Sequence, residues 1–355
     1  MTVVWEVCFY FALLSFFISL RLIYLHLIHF SQPVIQRKIV AILWMVPIYA
    51  ITSWLSLRFI DASLYFDMIR DSYESIVLYM FFALCYGYIG QIDRDHVDKG
   101  RIFSVLSSKG EIGHVFPFNR FLAPIDLRSD PAAFLLQCKR FILQFVVIKP
   151  LATMIGIYLY TRDEYTPGDF SINSGYLYLC IMVNLSISLS LYWLVLFYVS
   201  TKDALVPYNP VPKFLCIKGV LFFSFWQSVI IVVLHKFGII DKIPITEYSS
   251  AQICVIIQNG LICFEMLIAA IVHSYVFPST PFELLVRPSL NPRRLLTNAL
   301  DLNDVVRDFN EVSPLLLPST SFRRSPPTSS ERPPTSVNKP LITVPSSIAL
   351  NQLVK

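Results

Sequence analysis

The chain has 355 residues, of which 55% are hydrophobic and 15% charged, and its mean hydropathy is +0.59. Ordinary soluble domains are about one quarter charged. A soluble core of this length would not hide so much apolar surface, so the composition predicts an integral membrane protein. The net charge of +5 is not a nucleic-acid signal, because much of the Lys and Arg excess flanks apolar runs. Neither a phosphate-binding loop, a dinucleotide fingerprint nor a metal-binding Cys cluster occurs, and no cofactor is predicted.

Seven apolar segments predict an all-α, seven-helix transmembrane domain over residues 1–279. Each is close to the roughly 20 residues that cross a bilayer. The first lacks a basic start and a small-residue cleavage site, so it is interpreted as an uncleaved helix rather than a signal peptide. The segments run approximately over 3–30, 39–60, 72–90, 141–161, 175–199, 214–235 and 250–277.

The distribution of basic residues orients these helices. The turn after the first helix, the long loop 91–140, the loop before the sixth helix and the tail together hold 21 of the 29 Lys and Arg residues, and the opposite loops hold five. These five are Arg58, Arg70, Arg162, Lys236 and Lys242. Cytoplasmic connectors are the ones enriched in Lys and Arg. This split predicts an extracytoplasmic amino terminus and a cytoplasmic tail.

The segment from Ile23 to Leu57 contains the end of one apolar run, a basic turn and a second run with Pro47 near its middle. Neither hydropathy nor helix packing demands its order of Pro, Tyr and Trp, and that order resembles the signature of the organic solute transporter alpha / transmembrane protein 184 family. Similar strings recur downstream, as at Lys149-Pro150. The residues that carry the resemblance here are Gln36-Arg37, Ile39-Val40, Met45-Val46-Pro47-Ile48-Tyr49-Ala50 and Ser53-Trp54-Leu55-Ser56-Leu57.

This resemblance implies facilitated transport of amphipathic organic solutes, such as steroid conjugates or bile-acid-like anions. In the transporter branch a small single-pass membrane subunit is needed for activity. The other branch implies a different role, a non-transporting membrane protein for endolysosomal trafficking or signalling, and a ligand-activated receptor is a third alternative. The chain departs from relatives at Phe116-Pro117-Phe118, where it has no run of cysteines.

Polar side chains within the predicted spans are the candidate solute site. Charges in the bilayer interior cost about 2.5 kcal/mol or more, so they usually pair or line a wet cavity. Lys149 and Glu265 fall at similar depth, and we expect them to face each other or one shared cavity. The alternative is that these groups only hold the helices together. The candidate set is Lys149, Glu265, Asn184, Gln258 and Asn259, with Gln227 as a further hydrogen-bonding group.

Two cysteines, Cys138 and Cys216, lie at the predicted cytoplasmic ends of the fourth and sixth helices. Thioesterified cysteines cluster at that depth, so both are candidate palmitoylation positions. Small buried side chains are the alternative interpretation.

After the last span the composition changes to Pro, Ser, Thr and Arg. Residues 295–312 keep a helical apolar stripe and predict an amphipathic juxtamembrane helix, whereas residues 313–355 lack one and predict a disordered cytoplasmic tail. Glu311, Leu315 and Leu316 have the acidic-dileucine spacing that clathrin adaptors bind. The expected address is endolysosomal, plasma membrane or both.

Enzyme functions are not favoured. No His and carboxylate accompany a nucleophile at a useful spacing, and His235 and His273 stand alone near helix ends. His26 and His29 are spaced for a shared metal but lack a nearby carboxylate or Cys, so they are interpreted as boundary residues. The loop 91–140 is interpreted as a solvated loop, with a docking site as its alternative.

Overall fold

The computed structural model describes residues 2–90, 97–114, 118–120, 123–162, 164–165, 171–172, 174–240, 248–283, 306 and 310. Helices dominate this part of the chain. They are α1 Thr2–Ile28, α2 Pro33–Leu43, α3 Met45–Arg58, α4 Ser63–Gly90, α5 Lys99–Lys109, α6 Pro131–Tyr160, α7 Gly175–Leu205, α8 Pro210–Lys236, α9 Ser250–Val276 and α10 Thr280–Glu283. Strands β1 (Glu111–Ile112) and β2 (Ile125–Asp126) form a short antiparallel ladder, and 3₁₀ turns cover Ile60–Ala62, Phe118–Arg120 and Val206–Tyr208.

Within the described residues, six helical segments are long and apolar enough to cross a membrane. The chain is therefore an all-α, multi-pass integral membrane protein. Helix α8 occupies the place of the predicted sixth span but is not among the six, and seven of its side chains lie outside the described set; the seven-span count stays a prediction. The six segments are Val3–Ile28, Pro33–Arg58, Ile60–Gly90, Pro131–Tyr160, Gly175–Tyr208 and Gln252–Val276.

The second and third of these segments form the centre of the bundle. In their most apolar stretches 72% and 78% of residues are buried, against 22% in the first segment and 28% in the fourth and fifth. Helix α4 packs against α2, α3, α6 and α7, and α9 packs against α1, α3 and α8. The outer helices present large apolar side chains, such as Phe17 and Leu185, on their exposed faces, as lipid contact requires.

Helices α6 and α7 are joined by polar side chains as well as by packing. The Gln144 amide donates to the Ser186 carbonyl oxygen at 2.8 Å, and the Ser186 hydroxyl donates back to Gln144 Oε1 at 2.8 Å. Gln144 Nε2 also lies 3.1 Å from Ser190 Oγ. Polar groups in hydrocarbon need such internal partners.

The bundle has two ends, defined here by α1. At the amino-terminal face, where α1 begins, the guanidinium of Arg58 at the end of α3 lies 5.3 Å from the Trp5 ring centroid. At the carboxyl-terminal face, where α1 ends, a ring nitrogen of buried His26 donates to the Phe277 carbonyl oxygen at 3.1 Å. His26 therefore ties the end of α1 to the end of α9.

Helix starts follow local sequence. Asp130 accepts from the Ala133 amide at 2.8 Å and Pro131 follows it, so α6 begins at 131, not at the predicted 141. Ser249 and Gln252 form a capping box at the start of α9, which satisfies amide groups that otherwise lack partners. Helix α4 begins at Ser63 rather than at the predicted residue 72. The predicted start is late because the charged first half of this helix looks like a loop by hydropathy.

The turn between α1 and α2 is organised by Gln36. Its side chain is buried, and Oε1 accepts from the Ser31 and Gln32 amides, both at 2.8 Å. Its Nε2 donates to the carbonyl oxygens of His26 and His29 at 3.0 and 2.9 Å. One residue of the family signature thus uses its full hydrogen-bonding capacity to fix this turn.

The second membrane segment is interrupted at Trp44, which separates α2 from α3. Pro47 explains the break, since proline has no N–H to donate four residues back and its ring crowds the carbonyl there. Near the break, the Tyr73 hydroxyl of α4 donates to the Ala41 carbonyl oxygen at 2.6 Å. The predicted span 39–60 is thus two helical halves over Pro33–Arg58.

The long connector contains more structure than the solvated loop that the sequence predicts. It holds α5, which packs against α4 and α7, and the β1–β2 ladder. Lys109 Nζ lies 2.7 Å from Asp203 Oδ2 on α7. The predicted amphipathic helix 295–312 and tail 313–355 lie outside the described residues, except for Val306 and Asn310.

Candidate functional site: a charged cluster among the membrane-spanning helices

Arg70 of α4 is the centre of a polar group within the bundle. Its Nη1 lies 3.2 Å from Asp67 Oδ1, one helical turn away, and donates to Asn259 Oδ1 on α9 at 3.2 Å. Its Nε lies 3.7 Å from Asp71 Oδ1. Only 11% of the Arg70 side chain is exposed. The term charged cluster refers below to Asp67, Arg70, Asp71, Lys149 and Asn259.

Lys149 joins the cluster from α6. Its Nζ lies 3.2 Å from Asp71 Oδ2 and donates to it, and 14% of its side chain is exposed. The Asp71 carboxylate is therefore paired with two cationic side chains, Arg70 of α4 and Lys149 of α6. Glu74 of α4 lies within electrostatic range of Lys149 and of Lys218 on α8, so the surroundings of the cluster extend towards α8.

Helix α3 contributes neutral groups. The Ser56 hydroxyl donates to Asp67 Oδ1 at 3.1 Å, and Arg70 Nη1 donates to Ser53 Oγ at 3.3 Å. The Arg70 guanidinium also lies 5.7 Å from the Tyr49 ring centroid. These contacts compensate part of the desolvation of the charges, because a buried ion pair is favourable only with additional hydrogen bonds.

The cluster lies within candidate membrane-spanning helices rather than in a connector. At 1.5 Å per residue, Arg70 is about 10 Å from the start of α4 and Lys149 about 16 Å from the end of α6. Yet 31% of Asp67 and 44% of Asp71 are exposed. Both carboxylates therefore keep a partly accessible face, and such a face is costly if it meets hydrocarbon rather than water or solute.

Sequence reasoning missed the α4 members of this cluster. It began the third span at 72 and assigned Arg70 to an outer loop. A signal was nevertheless present: Asp67, Arg70, Asp71 and Glu74 are spaced i, i+3, i+4 and i+7, which places them on one helical face.

Lys149 and Glu265 do not pair with each other in the structure, and the shared cavity stays a prediction. Lys149 pairs with Asp71, whereas Glu265 Oε1 accepts from the Gln227 amide of α8. Both residues lie in the central part of their helices, as the sequence indicates. Depth follows from position in the sequence, but the direction a side chain faces depends on how the helices rotate against each other.

The remaining candidates divide between the cluster and the bundle exterior. Asn259 is buried and bonds to Arg70, and Gln258, its neighbour on α9, is half-buried. Asn184 is exposed on α7, and its amide donates to the Cys180 carbonyl oxygen of its own helix at 2.8 Å. Asn184 therefore lies away from the cluster.

The two cysteine candidates differ in environment. Cys138 is completely buried, an environment that fits the alternative interpretation of a small packed side chain. Cys216 is half-buried, and its thiol donates to the Lys213 carbonyl oxygen at 3.1 Å. The sorting motif of Glu311, Leu315 and Leu316 lies outside the described residues.

A second polar feature is a cavity of about 370 Å³ at the amino-terminal face, widely open to the surface. Arg58 lies 5.3 and 5.5 Å from the ring centroids of Trp5 and Phe59. In the described part of the chain Arg58 makes no ion pair. The cavity combines a cation with aromatic surface, and its lining residues are Trp5, Arg58, Phe59, Ile60, Asp61, Ala62, Tyr248 and Gln252.

Over the same described residues, no group of three or more His, Cys, Asp or Glu side chains is placed to hold a metal ion. The chemistry that the charged cluster offers is binding through ion pairs and hydrogen bonds.

Comparison with known proteins agrees with the motif analysis. The family model described as organic solute transporter Ostalpha matches residues 4–282. That range includes the signature around Gln36-Arg37 and every member of the charged cluster. No solved structure matches the chain.

Proposed function

The chain belongs to the organic solute transporter alpha family, and we propose that it moves amphipathic organic solutes, such as steroid conjugates or bile-acid-like anions, across a membrane by facilitated transport. The family is one of solute transporters rather than of enzymes. The observation that carries the proposal is the charged cluster, whose Asp71 carboxylate is 44% exposed within a membrane-spanning bundle. A cluster that served only packing would be expected to close off both carboxylates.

The cavity at the amino-terminal face supports the solute class. An amphipathic anion presents a charge beside a broad apolar body, and Arg58 with the rings of Trp5 and Phe59 offers the complementary pair of surfaces. At about 370 Å³ the cavity is at the lower end of the usual size of ligand pockets. We assign it the first contact with solute, before the charged cluster.

Topology, partners and address belong to the same proposal. We place seven spans in the membrane, with the amino terminus outside or lumenal and the tail cytoplasmic. Arg70 lies in α4 rather than in an outer loop. Leaving it out of the loop count does not change which side of the membrane holds more Lys and Arg. A small single-pass subunit acts as transport partner, and the tail binds a clathrin adaptor that directs the protein to endolysosomes.

The direct experiment is flux into liposomes containing the purified protein. Wild type, with and without a candidate single-pass partner, should accelerate uptake of a radiolabelled steroid sulfate or bile acid. Lys149→Met should lower the maximal rate, since it removes a cation from the cluster. Arg58→Gln should raise KM more than it lowers kcat, because the residue acts at entry.

The matched control is Lys202→Met, which removes an exposed lysine at the end of α7 and should leave flux unchanged. If wild type shows no flux under any of these conditions while deletion of the tail redistributes endosomal cargo in cells, the protein is a trafficking component and the transport proposal fails.

A further inference from the structure

Glu265 and Gln227 form a polar pair between α9 and α8 that is separate from the charged cluster. Gln227 Nε2 donates to Glu265 Oε1. At 1.5 Å per residue, Glu265 lies about 22 Å from the start of α9 and about 16 Å from its end. The carboxyl group is therefore near the middle of the membrane, where an isolated charge is most costly.

The other two oxygens of this pair have no hydrogen-bond partner among the described residues. Glu265 Oε2 and Gln227 Oε1 are both buried, and in that part of the chain neither makes a hydrogen bond. Both atoms are acceptors if Glu265 is ionised, so neither can satisfy the other. Leaving a buried polar atom without a partner costs about 1–3 kcal/mol, and here two such atoms belong to residues that already touch.

A single proton on the Glu265 carboxyl group would give both of these oxygens a hydrogen-bond partner. If Oε2 of Glu265 carries the proton, its hydroxyl can donate to Gln227 Oε1 while Gln227 Nε2 continues to donate to Glu265 Oε1. A protonated carboxyl has one O–H donor and a primary amide has two N–H donors and an acceptor, so the two groups match. The terminal torsions of Glu and Gln are broad and two-fold, and this alignment therefore needs only a small rotation.

No cation competes for the Glu265 carboxyl in the described part of the chain. Helix α9 packs against α1, α3, α8 and the 3₁₀ turn at Ile60–Ala62. The hydrogen bond that the structure gives to the Glu265 side chain comes from Gln227, and among the described side chains no ion pair includes Glu265. The described titratable or charged side chains of these elements are Glu6, Cys8, Tyr10, Arg21, Tyr24 and His26 on α1, Tyr49 and Arg58 on α3, Asp61 in the turn, Lys213, Cys216, Lys218 and His235 on α8, and Cys254, Cys263, His273 and Tyr275 on α9 itself.

The nearest member of the charged cluster along α9 is Asn259, through which Arg70 contacts this helix. Asn259 is six residues before Glu265, or about 9 Å along the axis. Arg70 pairs with Asp67 and Asp71, so within the described ranges no cation forms an ion pair with Glu265.

We propose that Glu265 is a proton-binding site in the middle of the membrane: the carboxyl holds a proton at neutral pH, and the resulting two-bond pair with Gln227 joins α8 to α9. Release of the proton leaves a buried carboxylate facing the oxygen of an amide, which weakens the α8–α9 contact. The proton therefore acts as a ligand of this interface. This inference does not depend on transport activity.

Infrared difference spectroscopy of the purified protein tests the inference directly. The wild-type spectrum at neutral pH should contain the C=O stretching band of a protonated carboxylic acid, which shifts in deuterium oxide. Glu265→Gln should remove one such band, and Gln227→Leu should move it to higher frequency, because the acid loses its acceptor. The matched control is Glu6→Gln, an exposed glutamate at the start of α1, which should leave the band unchanged.

Thermal unfolding supplies a second readout. The wild-type midpoint should fall from mildly acidic to mildly alkaline pH, since a proton bound by the folded state stabilises it only while it remains bound. The neutral amide that Glu265→Gln introduces can make the same two bonds to Gln227, so this variant should lack that part of the pH dependence. A wild-type spectrum in which Glu265→Gln removes only a carboxylate band would overturn the proposal, as would an equal pH dependence in both proteins.

Discussion

Removing Asp71 should destabilise the protein more than removing its partner Lys149. Lys149 is 14% exposed and has Asp71 as its ion-pair partner at 3.2 Å. In Asp71→Asn the buried ammonium loses its ion-pair partner and keeps the weaker attractions of Glu74 and Tyr165. Stranding one charge of a buried pair costs about 3–5 kcal/mol, and we expect about 3 kcal/mol because Asp71 itself is partly solvated.

The reverse change is milder. In Lys149→Met the Asp71 carboxylate keeps Arg70 at 3.7 Å and its 44% exposure. We expect a loss of about 1–2 kcal/mol, after discounting the buried-pair value for that exposure. The double variant has neither stranded charge, so its loss should be smaller than the sum of the two single losses, with a coupling energy of about 1–3 kcal/mol.

The assay is reversible unfolding by SDS in bicelles, which gives a free energy for each of the four proteins in the cycle. The control cycle uses Lys109 and Asp203, whose side chains are 34% and 78% exposed although their atoms are only 2.7 Å apart. Its coupling should be clearly smaller, because solvent screens exposed pairs. Additive losses at Asp71 and Lys149, or a larger loss for Lys149→Met, would refute the reasoning.

Three further changes test topology, address and packing. A cysteine introduced at Leu350 should react with a membrane-impermeant maleimide only after permeabilisation of cells that display the protein; reaction in intact cells, beyond that of the parent, places the tail outside. Replacing Leu315 and Leu316 by Ala should move the protein from endosomes or lysosomes to the plasma membrane, and an unchanged distribution makes the motif match accidental. Gln144→Leu should cost about 1 kcal/mol in the SDS assay because its amide links α6 to α7, whereas Asn184→Leu should cost nothing measurable; equal losses would contradict the assignment of Asn184 to the exterior.

The sequence predicts the helical class and the approximate positions of the spans because these depend on hydropathy, which is local. Helix starts were harder. The first half of α4 contains Asp67, Arg70 and Asp71, and an average over hydropathy counts these charges against a membrane segment even when they share one helical face. Periodicity would have recovered them, since a common face is visible in their spacing.

The sequence indicates which residues of α6 and α9 are polar at mid-helix depth but not which residues they contact. The depth of Lys149 and Glu265 follows from their positions in the sequence, whereas the direction that each side chain faces does not. Their partners, Asp71 and Gln227, depend on which helices are neighbours and how each is rotated. Neither property is encoded in the hydropathy of a single segment, so the sequence placed two charges at one level without showing that they belong to different polar groups.

The interruption at Trp44 divides the second span into two helices, α2 and α3, that make separate contacts. Helix α2 is held at the carboxyl-terminal face by four hydrogen bonds between the Gln36 side chain and backbone groups. Helix α3 carries Ser53 and Ser56, which form hydrogen bonds with Arg70 and Asp67 of the charged cluster. Trp44 still bonds to Val40 and Ile48, so the two halves stay in line, and the bond that Pro47 cannot donate is the weak point between them. A change at the cluster thus reaches Gln36 only through that weakened turn.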